Sequence, residues 1–327
     1  MLSGLGVGAI ALLMVAGVLL DMLLGEARRW HPLVGFGNWA MQLERHLNRG
    51  GHRFLRGALA WLLAVAPPTL LAAGLLWLTR ANGVNFLIHA LLLYLCLGLR
   101  SLREHNLPIA DALLRHDLPA ARLLTARIVS RDTSRSSENE LAKASAESLL
   151  ENGNDAVFGT LFWFAVAGAP GAVLFRAINT LDAMWGYRNA RYARFGCTAA
   201  RLDDAVNYIP ARLTALSYLL LAPGLHAKRR AWLCWRMQSP LWSSPNAGPV
   251  MASGAGALGI ELGGAAIYDG ELEQRPPLGH GTAAAGADIG RAWRLVARTT
   301  GLWLAVALLA ALLAALLAEL LLEVTHA

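Results

Sequence analysis

The sequence predicts an all-α polytopic integral membrane protein. Four to six transmembrane helices are expected, with interfacial or re-entrant helices and a cytoplasmic helical and loop region. Three observations predict it. Apolar residues make up 56% of the 327, and charged residues only 16%, where soluble domains average roughly 25% charge. The mean hydropathy is +0.43. The apolar residues are also gathered into uncharged runs at 2–20, 57–79, 81–99, 156–175 and 299–318, and a spanning helix needs about 20 such residues. This composition excludes a disordered chain, which lacks apolar surface to bury. Three scattered cysteines, Cys96, Cys197 and Cys234, exclude a disulfide scaffold. A net charge of +7 on a soluble protein would suggest nucleic acid. On so apolar a chain it is loop charge facing an anionic bilayer or substrate, and no nucleic-acid partner is expected.

The run at 2–20 stops at Asp21. It has no basic segment before it, and Asp21 stands where a cleavage site needs a small residue, so a retained first span over 2–22 is expected. The chain then turns at Pro32, with Arg28 and Trp30 as anchors at headgroup level. Spans at 58–79 and 84–99 follow. Residues 100–155 show helical periodicity with dense charge. The run 156–175 is interrupted by Gly159, Gly168, Pro170 and Gly171; it is either a span or a buried, re-entrant hairpin, which is tolerated where protein covers it. Residues 213–225 are apolar but short. Residues 237–260 are uncharged but rich in Ser, Pro and Gly, and read as loop. The Ala/Leu-rich segment 300–322 is a lipid-facing last span. With four spans, every Lys and Arg except Arg80 falls on one side, in loops 25–57 and 100–298. If 156–175 and 213–225 also cross, six arginines change sides. Positive-inside bias favours the first arrangement, with the basic loops cytoplasmic. One membrane-embedded domain over 1–327 is therefore expected, multi-pass in the cell (inner) membrane, its active face cytoplasmic.

Three clusters carry possible chemistry. The first is Ser130-Arg131-Asp132-Thr133-Ser134, followed by Glu147, Glu151, Asn152, Asn154 and Asp155. Glu147, Glu151 and Asp155 recur every four residues and share one helix face, where like charges repel. Such a face holds a cation or is simply solvated; carboxylates with retained waters are the usual Mg²⁺ donors beside phosphates. The second cluster runs from Asn179 and Asp182 through Arg188, Arg191 and Arg194 to Asp203, Asp204, Asn207 and Arg212. Polar groups between apolar residues at a membrane boundary are functional or paired, and Arg matches phosphate or carboxylate with its planar fork. The third is Ser243-Ser244-Pro245-Asn246, followed by Gly254-Ala-Gly256-Ala-Leu-Gly259. The glycines fit a dinucleotide fingerprint literally, but no strand precedes them and no acid follows at the ribose distance; a small-residue packing face fits better. The Ser-Pro-Asn turn offers anion contacts near a helix start. No histidine pair has zinc-ligand spacing, and no Walker A, GxSxG or CxxC motif is present.

Taken in order, these motifs resemble the CbiB/CobD family of cobalamin biosynthesis, the adenosylcobinamide-phosphate synthases. The resemblance rests on Asp21-xxx-Gly25-Glu26 with His31-Pro32, Val129-Ser-Arg-Asp-Thr133, Glu147-Ser-Leu-Leu-Glu-Asn152 with Asp155, and Leu161-Phe-Trp163. It continues with Arg176-Ala-Ile-Asn-Thr-Leu-Asp182, Gly186-Tyr-Arg188, Phe195-Gly196, Ala200-Arg-Leu-Asp-Asp204, Asn207-Tyr-Ile-Pro-Ala-Arg212 and Ser244-Pro-Asn-Ala-Gly248 with Gly256-Ala-Leu-Gly259. It covers about 16–270. Gly159-Thr160 and Cys197 depart from the family pattern, and neither departure touches a charged motif residue.

The resemblance implies ATP-dependent amide formation between the free propionate of adenosylcobyric acid and aminopropanol phosphate or a related amino-alcohol. ATP and Mg²⁺ are the implied cofactors. The implied partners are the corrinoid, the amino-alcohol phosphate, the bilayer and other late cobalamin-assembly membrane enzymes. On this reading Asp132, Glu147, Glu151 and Asp155 serve the cation and the ammonium, with Asp132, Glu151 and Asp155 as Mg²⁺ ligands. Arg131, Arg188 and Arg212 clamp phosphates. Asn152, Asn179, Asp182, Asn207, Ser244 and Asn246 fix substrate, and Asp203 or Asp204 accepts the amine proton. Trp163, Trp185 and Tyr187 either line a corrinoid cavity or pack the core. All these groups are expected to meet in one water-accessible pocket. A membrane transporter or a non-catalytic sensor of the same fold are the alternatives; the first should show paired hydrophobic halves, and the second should have lost the charged motifs.

Overall fold

In the computed structural model, which describes residues 4–26, 31–268 and 271–326, the described parts of the five expected apolar runs are mostly helical, as a backbone crossing hydrocarbon must satisfy its own hydrogen bonds. The expected anchors Arg28 and Trp30 lie outside the described residues. Twelve α-helices are described: α1 (Val7–Leu24), α2 (Pro32–Leu47), α3 (Arg53–Thr79), α4 (Val84–Cys96), α5 (Leu99–Leu114), α6 (Leu118–Thr125), α7 (Glu138–Gly153), α8 (Gly159–Trp185), α9 (Cys197–Leu221), α10 (Gly224–Gln238), α11 (Ala247–Leu258) and α12 (Gly286–His326). Strand is confined, among the described residues, to short pieces between α11 and α12: β1 (Ile260–Gly263), β2 (Ala266–Tyr268), β3 (Glu271–Glu273), β4 (Pro277–Gly279) and β5 (Thr282–Ala283). Among the described residues, five helical stretches are long and apolar enough to cross a membrane: Val7–Leu24, Arg53–Thr79, Val84–Leu114, Glu138–Trp185 and Gly286–Thr325. The protein is thus all-α and polytopic, as expected. The run 213–225 is not among the five: its apolar residues are only the end of α9, whose earlier turns carry Arg201, Asp203, Asp204, Asn207 and Arg212.

The chain forms two compact units. The first comprises Met1–Gly98, Gly159–Val206 and Trp303–Ala327. His31 Nδ1 accepts the Leu33 N–H at 3.2 Å and Pro32 opens α2, where a missing N–H costs nothing. Small residues let the helices approach: Ala40 of α2, Ala60 and Ala64 of α3, and Ala177 of α8 are buried together around Trp185 and Phe195. α8 is not one straight rod. Gly168 takes φ 67, ψ −158, a conformation open to glycine, and the helix folds back there. Gly159 then lies against the Phe175 ring and Gly171 against the Trp163 carbonyl. The break frees the Ala169 N–H, which buried His89 accepts through Nδ1 at 3.2 Å. The 156–175 run is therefore a helical hairpin with a protein-satisfied apex. The last part of α12 exposes Leu309, Leu312, Leu316 and Leu320, as a lipid-facing helix should.

The second unit comprises Leu99–Phe158 and Asn207–Leu302. α7 starts with a capping box, Ser137 and Glu140 bonding each other's backbone. Its inner face is Leu141, Ala142, Leu149 and Leu150, all buried. Ser145 crosses to Asn106 of α5 at 2.7 Å. A π-helical turn, Asn154–Phe158, follows α7. Residues 237–260 are not loop as expected: 247–258 form α11. Ser244 Oγ accepts the Ala247 N–H at 3.1 Å, and Pro249 falls in the first turn, where its lost donor is harmless. The glycines that suggested loop are packing positions. A side chain at Gly254 would meet Leu150 at 2.7 Å, and one at Gly256 would meet the Ala231 backbone at 2.7 Å. Beyond α11, β1 pairs antiparallel with β4 and parallel with β5, and β2 pairs with β3.

Candidate functional site

Glu147 sits on the buried face of α7, where an unpaired carboxylate would be costly. The structure surrounds it. Arg131 Nη2 donates to Oε2 at 2.6 Å, Arg275 approaches both oxygens at 3.1 Å, and the Gly263 N–H at the end of β1 donates to Oε1 at 2.7 Å. The three side chains are only 5–10% exposed. Arg131 is held by a bridge of its backbone to Tyr268 in β2; Arg275 donates to the Tyr268 hydroxyl at 3.3 Å. Burial disfavours the Arg275 charge, but Glu147 and Tyr268 outweigh it and raise its pKa. Glu147 alone does not balance two guanidiniums, but Glu151 and Glu273 face the cleft they line, so its charged groups are two arginines and three carboxylates. Arg131 also keeps a buried Nε without a partner among the described residues. These groups, with Ser130, Glu151, Trp242 and Ser243, line a cleft of about 270 Å³. The guanidinium and hydroxyl donors suit a phosphate oxygen, and the carboxylates beside them, with half-buried Glu151 one turn along from Glu147, suit a divalent cation carried with that phosphate.

Asp132 lies elsewhere. It is exposed, accepts the Ser134 N–H at 2.8 Å, and is held below the ordinary carboxylate range by that bond. It lines a separate cleft with Arg135 and Glu140; Arg131 borders both. The single pocket expected from the sequence therefore divides, within this unit, into two clefts with a shared arginine. Asp155 is not the third member of a straight carboxylate stripe, because the π turn shifts the helical register after Gly153. Its Oδ1 accepts from Asn154 at 2.9 Å. Asn154 also donates to Asn207 and accepts from Thr214, each at 2.9 Å, and so ties α9 to the π turn. Asn152 turns back on Ser148 of its own helix. Among the described residues no three of His, Cys, Asp and Glu form a metal-holding group, so Asp132, Glu151 and Asp155 do not converge as a ligand set.

Arg212 of α9 donates to Asn246 Oδ1 at 2.6 Å and stacks on the Tyr208 ring at 3.6 Å; Asn246 stands directly before α11, and Ser244 accepts two N–H groups of the same turn. This arrangement matches the expected polar turn at a helix start.

In the first unit, Asn179 of α8 approaches buried Asp203 of α9 at 3.4 Å. The neighbouring Asp204 carboxyl is pushed above its ordinary range by burial, with Arg188 opposing. Asp182 is half-buried and Arg188 exposed. Of the aromatic trio, Trp185 is core, edge-on to Phe195, and Trp163 donates to the Val206 carbonyl at 3.0 Å; both pack, and Tyr187 alone is exposed. Arg191 makes a two-pronged ion pair with Glu44 of α2, at 3.0 and 2.7 Å.

Sequence reasoning missed Arg275 and the Glu44–Arg191 pair. Arg275 is an isolated base in an aperiodic stretch; its only signal is its place before Pro276-Pro277, which keeps it extended. Glu44 is one charge among several on an amphipathic helix.

Comparison with known proteins gives a consistent result. The family described as CobD/Cbib protein matches residues 14–296. A cobalamin biosynthesis protein CobD of Stutzerimonas stutzeri is 58% identical over 92% of this chain and 97% of its own length. That of Chromobacterium violaceum is 53% identical over 92% and 96%, and that of Mycobacterium tuberculosis 41% over 84% and 88%. No solved structure matches.

Proposed function

This chain belongs to the CobD/Cbib family, and on that premise we propose that it serves cobalamin biosynthesis as an ATP-dependent ligase. It joins the free propionate of adenosylcobyric acid to the amine of aminopropanol phosphate, or a related amino-alcohol, and yields adenosylcobinamide phosphate. The reaction takes place at the cytoplasmic face of the inner membrane, where other late cobalamin-assembly membrane enzymes would receive the product. One observation carries the reading: two buried guanidiniums, Arg131 and Arg275, are held by Glu147 at the wall of a cleft that also presents Glu151 and Ser243. Glu273 faces the same cleft, so the site pairs phosphate donors with carboxylates, the combination that takes a phosphate together with its divalent cation.

A carboxylate does not condense with an amine in water, so the propionate is activated first. Its oxygen attacks the γ-phosphorus of ATP, forming an acyl phosphate and releasing ADP. The amine nitrogen then attacks the acyl carbon; the C–O bond to phosphate breaks, inorganic phosphate leaves, and the nitrogen loses one proton. Arg131 and Arg275 neutralise the phosphoryl charge as it transfers, and Arg212 of the same unit binds a further phosphate. Asn207, Asn246 and Ser244 orient the substrates, which raises the effective concentration of amine at the carbonyl. Asn179, Asp182, Arg188, Asp203 and Asp204, all of the first unit, keep the substrate-binding and proton-accepting roles that the sequence motifs imply. Mg²⁺ fits as the counter-ion of ATP. Its usual donors are one or two carboxylates plus substrate phosphates, which Glu151, Glu273 and the cleft hydroxyls satisfy without a three-carboxylate cage; the expected ligands Asp132 and Asp155 do not share this cleft. Bound there it would lower the charge barrier to attack on phosphate.

The test is growth on cobyric acid of a strain lacking its own enzyme. Glu151→Ala, Asp182→Ala and Arg275→Ala should each abolish growth at unchanged protein level. Normal growth with both Glu151→Ala and Asp182→Ala would defeat the assignment.

A further inference from the structure

A cationic cleft with a different lining lies in the second unit. Its floor is apolar, made by Leu221 and Pro223 at the turn between α9 and α10 and by Leu258 of α11. Three arginines of α12 border it: Arg291, Arg294 and Arg298. Arg291 is fixed by Asp288 at 2.5 Å and by the Leu258 carbonyl. Arg294 and Arg298 are exposed and have neither a hydrogen-bond nor an ion-pair partner among the described residues. Their spacing, one helical turn, sets the two free guanidiniums side by side. Among the described residues Asp288 is the one acid paired with these arginines, and no acid lines the cleft, so it is strongly positive.

Its place along the chain points to the ligand. Arg298 is the last charge before the uncharged run 299–318, so the cleft opens where α12 passes from water into hydrocarbon. α10 starts directly after Pro223. It carries Lys228, Arg229, Arg230 and Arg236 and exposes Leu225, Trp232 and Met237, and no Asp or Glu occurs anywhere in 205–260. Bases mixed with exposed apolar and indole side chains are the pattern of a helix lying on an anionic bilayer surface. A water-soluble partner would have to strip these apolar residues from lipid.

We propose that this cleft binds an anionic phospholipid of the bilayer, its headgroup phosphate bridging Arg294 and Arg298 and its glycerol end resting on the apolar floor. The site is independent of the ligase reading.

The experiment uses the full-length purified chain in detergent, titrated with phosphatidylglycerol, phosphatidylcholine or inorganic phosphate and read by native mass spectrometry. Phosphatidylglycerol should be retained in preference to phosphatidylcholine. The double variant Arg294→Gln/Arg298→Gln should bind it roughly thirtyfold more weakly, about fivefold for each lost base. Equal retention of both lipids, or undiminished binding by the double variant, overturns the proposal. Competition by millimolar phosphate that displaces the lipid marks the cleft as a site for free phosphate and overturns it too. Should the double variant not fold, a photoreactive phosphatidylglycerol on the unmutated protein decides. Cross-links to the peptides carrying Leu221–Pro223 and Arg291–Arg298 support the site, and labelling confined to other peptides refutes it.

Discussion

Replacing Glu147 with Gln tests the heart of the cleft. The substitution keeps the shape and an oxygen for the Gly263 N–H but removes the charge that two guanidiniums share. With the three side chains only 5–10% exposed, solvent cannot screen Arg131 from Arg275. Removing one partner from such a buried group costs about 3–5 kcal/mol, because the remaining charges are left uncompensated. Glu147→Ala adds the orphaned Gly263 N–H, worth about 1–3 kcal/mol more. A triple replacement, Arg131→Met, Glu147→Leu and Arg275→Met, behaves oppositely in stability: apolar groups of similar volume often match or exceed a buried ion cluster. Chemical denaturation in mixed micelles, monitored by tryptophan fluorescence, should therefore rank wild type and the triple variant together, with Glu147→Gln and Glu147→Ala well below. Growth on cobyric acid should fail for all three variants. A Glu147→Gln protein that unfolds within about 0.5 kcal/mol of wild type, and supports growth, would refute the reasoning.

Further outcomes are expected in the other unit. Asp204→Asn should leave stability at pH 7 unchanged or raised, since burial already penalises the charged carboxyl, while ligase turnover by the purified protein falls. Gly57→Ala should sharply lower the yield of monodisperse protein on size-exclusion chromatography: its new methyl meets the Phe195 carbonyl, backbone that has no room to give, and overpacking costs about 1–3 kcal/mol or more. The Glu44 carboxyl is held below its ordinary 4.5, chiefly by Arg191. Its stabilising contribution is complete above pH 4.5 and fades as pH falls through the lowered folded value. Glu44→Gln should therefore flatten the acid limb of the unfolding-versus-pH curve and leave the neutral plateau lower.

Much of the fold was legible because lipid imposes a simple rule. Uncharged runs had to be helices, and those at 2–20, 57–79 and 299–318 fall within the long apolar helices Val7–Leu24, Arg53–Thr79 and Gly286–Thr325 over their described residues. The glycines and Pro170 of 156–175 announced a broken helix, and Gly168 is where it turns. The segment 237–260 misled because Gly and Ala signal both loop and close helix packing; only the facing Leu150 and Ala231 distinguish the two. The charged motifs were visible as types, but their partners were not. Glu147 shares its spacing with Glu151, yet the residues that engage it, Arg275 and Gly263, lie more than a hundred positions away, and no local pattern encodes such a contact. Asp155 shows a second limit. The four-residue spacing assumed an unbroken α-helix, and a single π turn was enough to void it.

The central claim is that this chain makes the amide bond itself. Purified protein in lipid nanodiscs, given adenosylcobyric acid, ATP, Mg²⁺ and aminopropanol phosphate, would be followed by mass spectrometry of the corrinoid. The account predicts adenosylcobinamide phosphate that forms only with ATP present and that disappears with Arg275→Ala. Active protein that leaves adenosylcobyric acid unchanged with every component supplied, or conversion that proceeds without ATP, would contradict it.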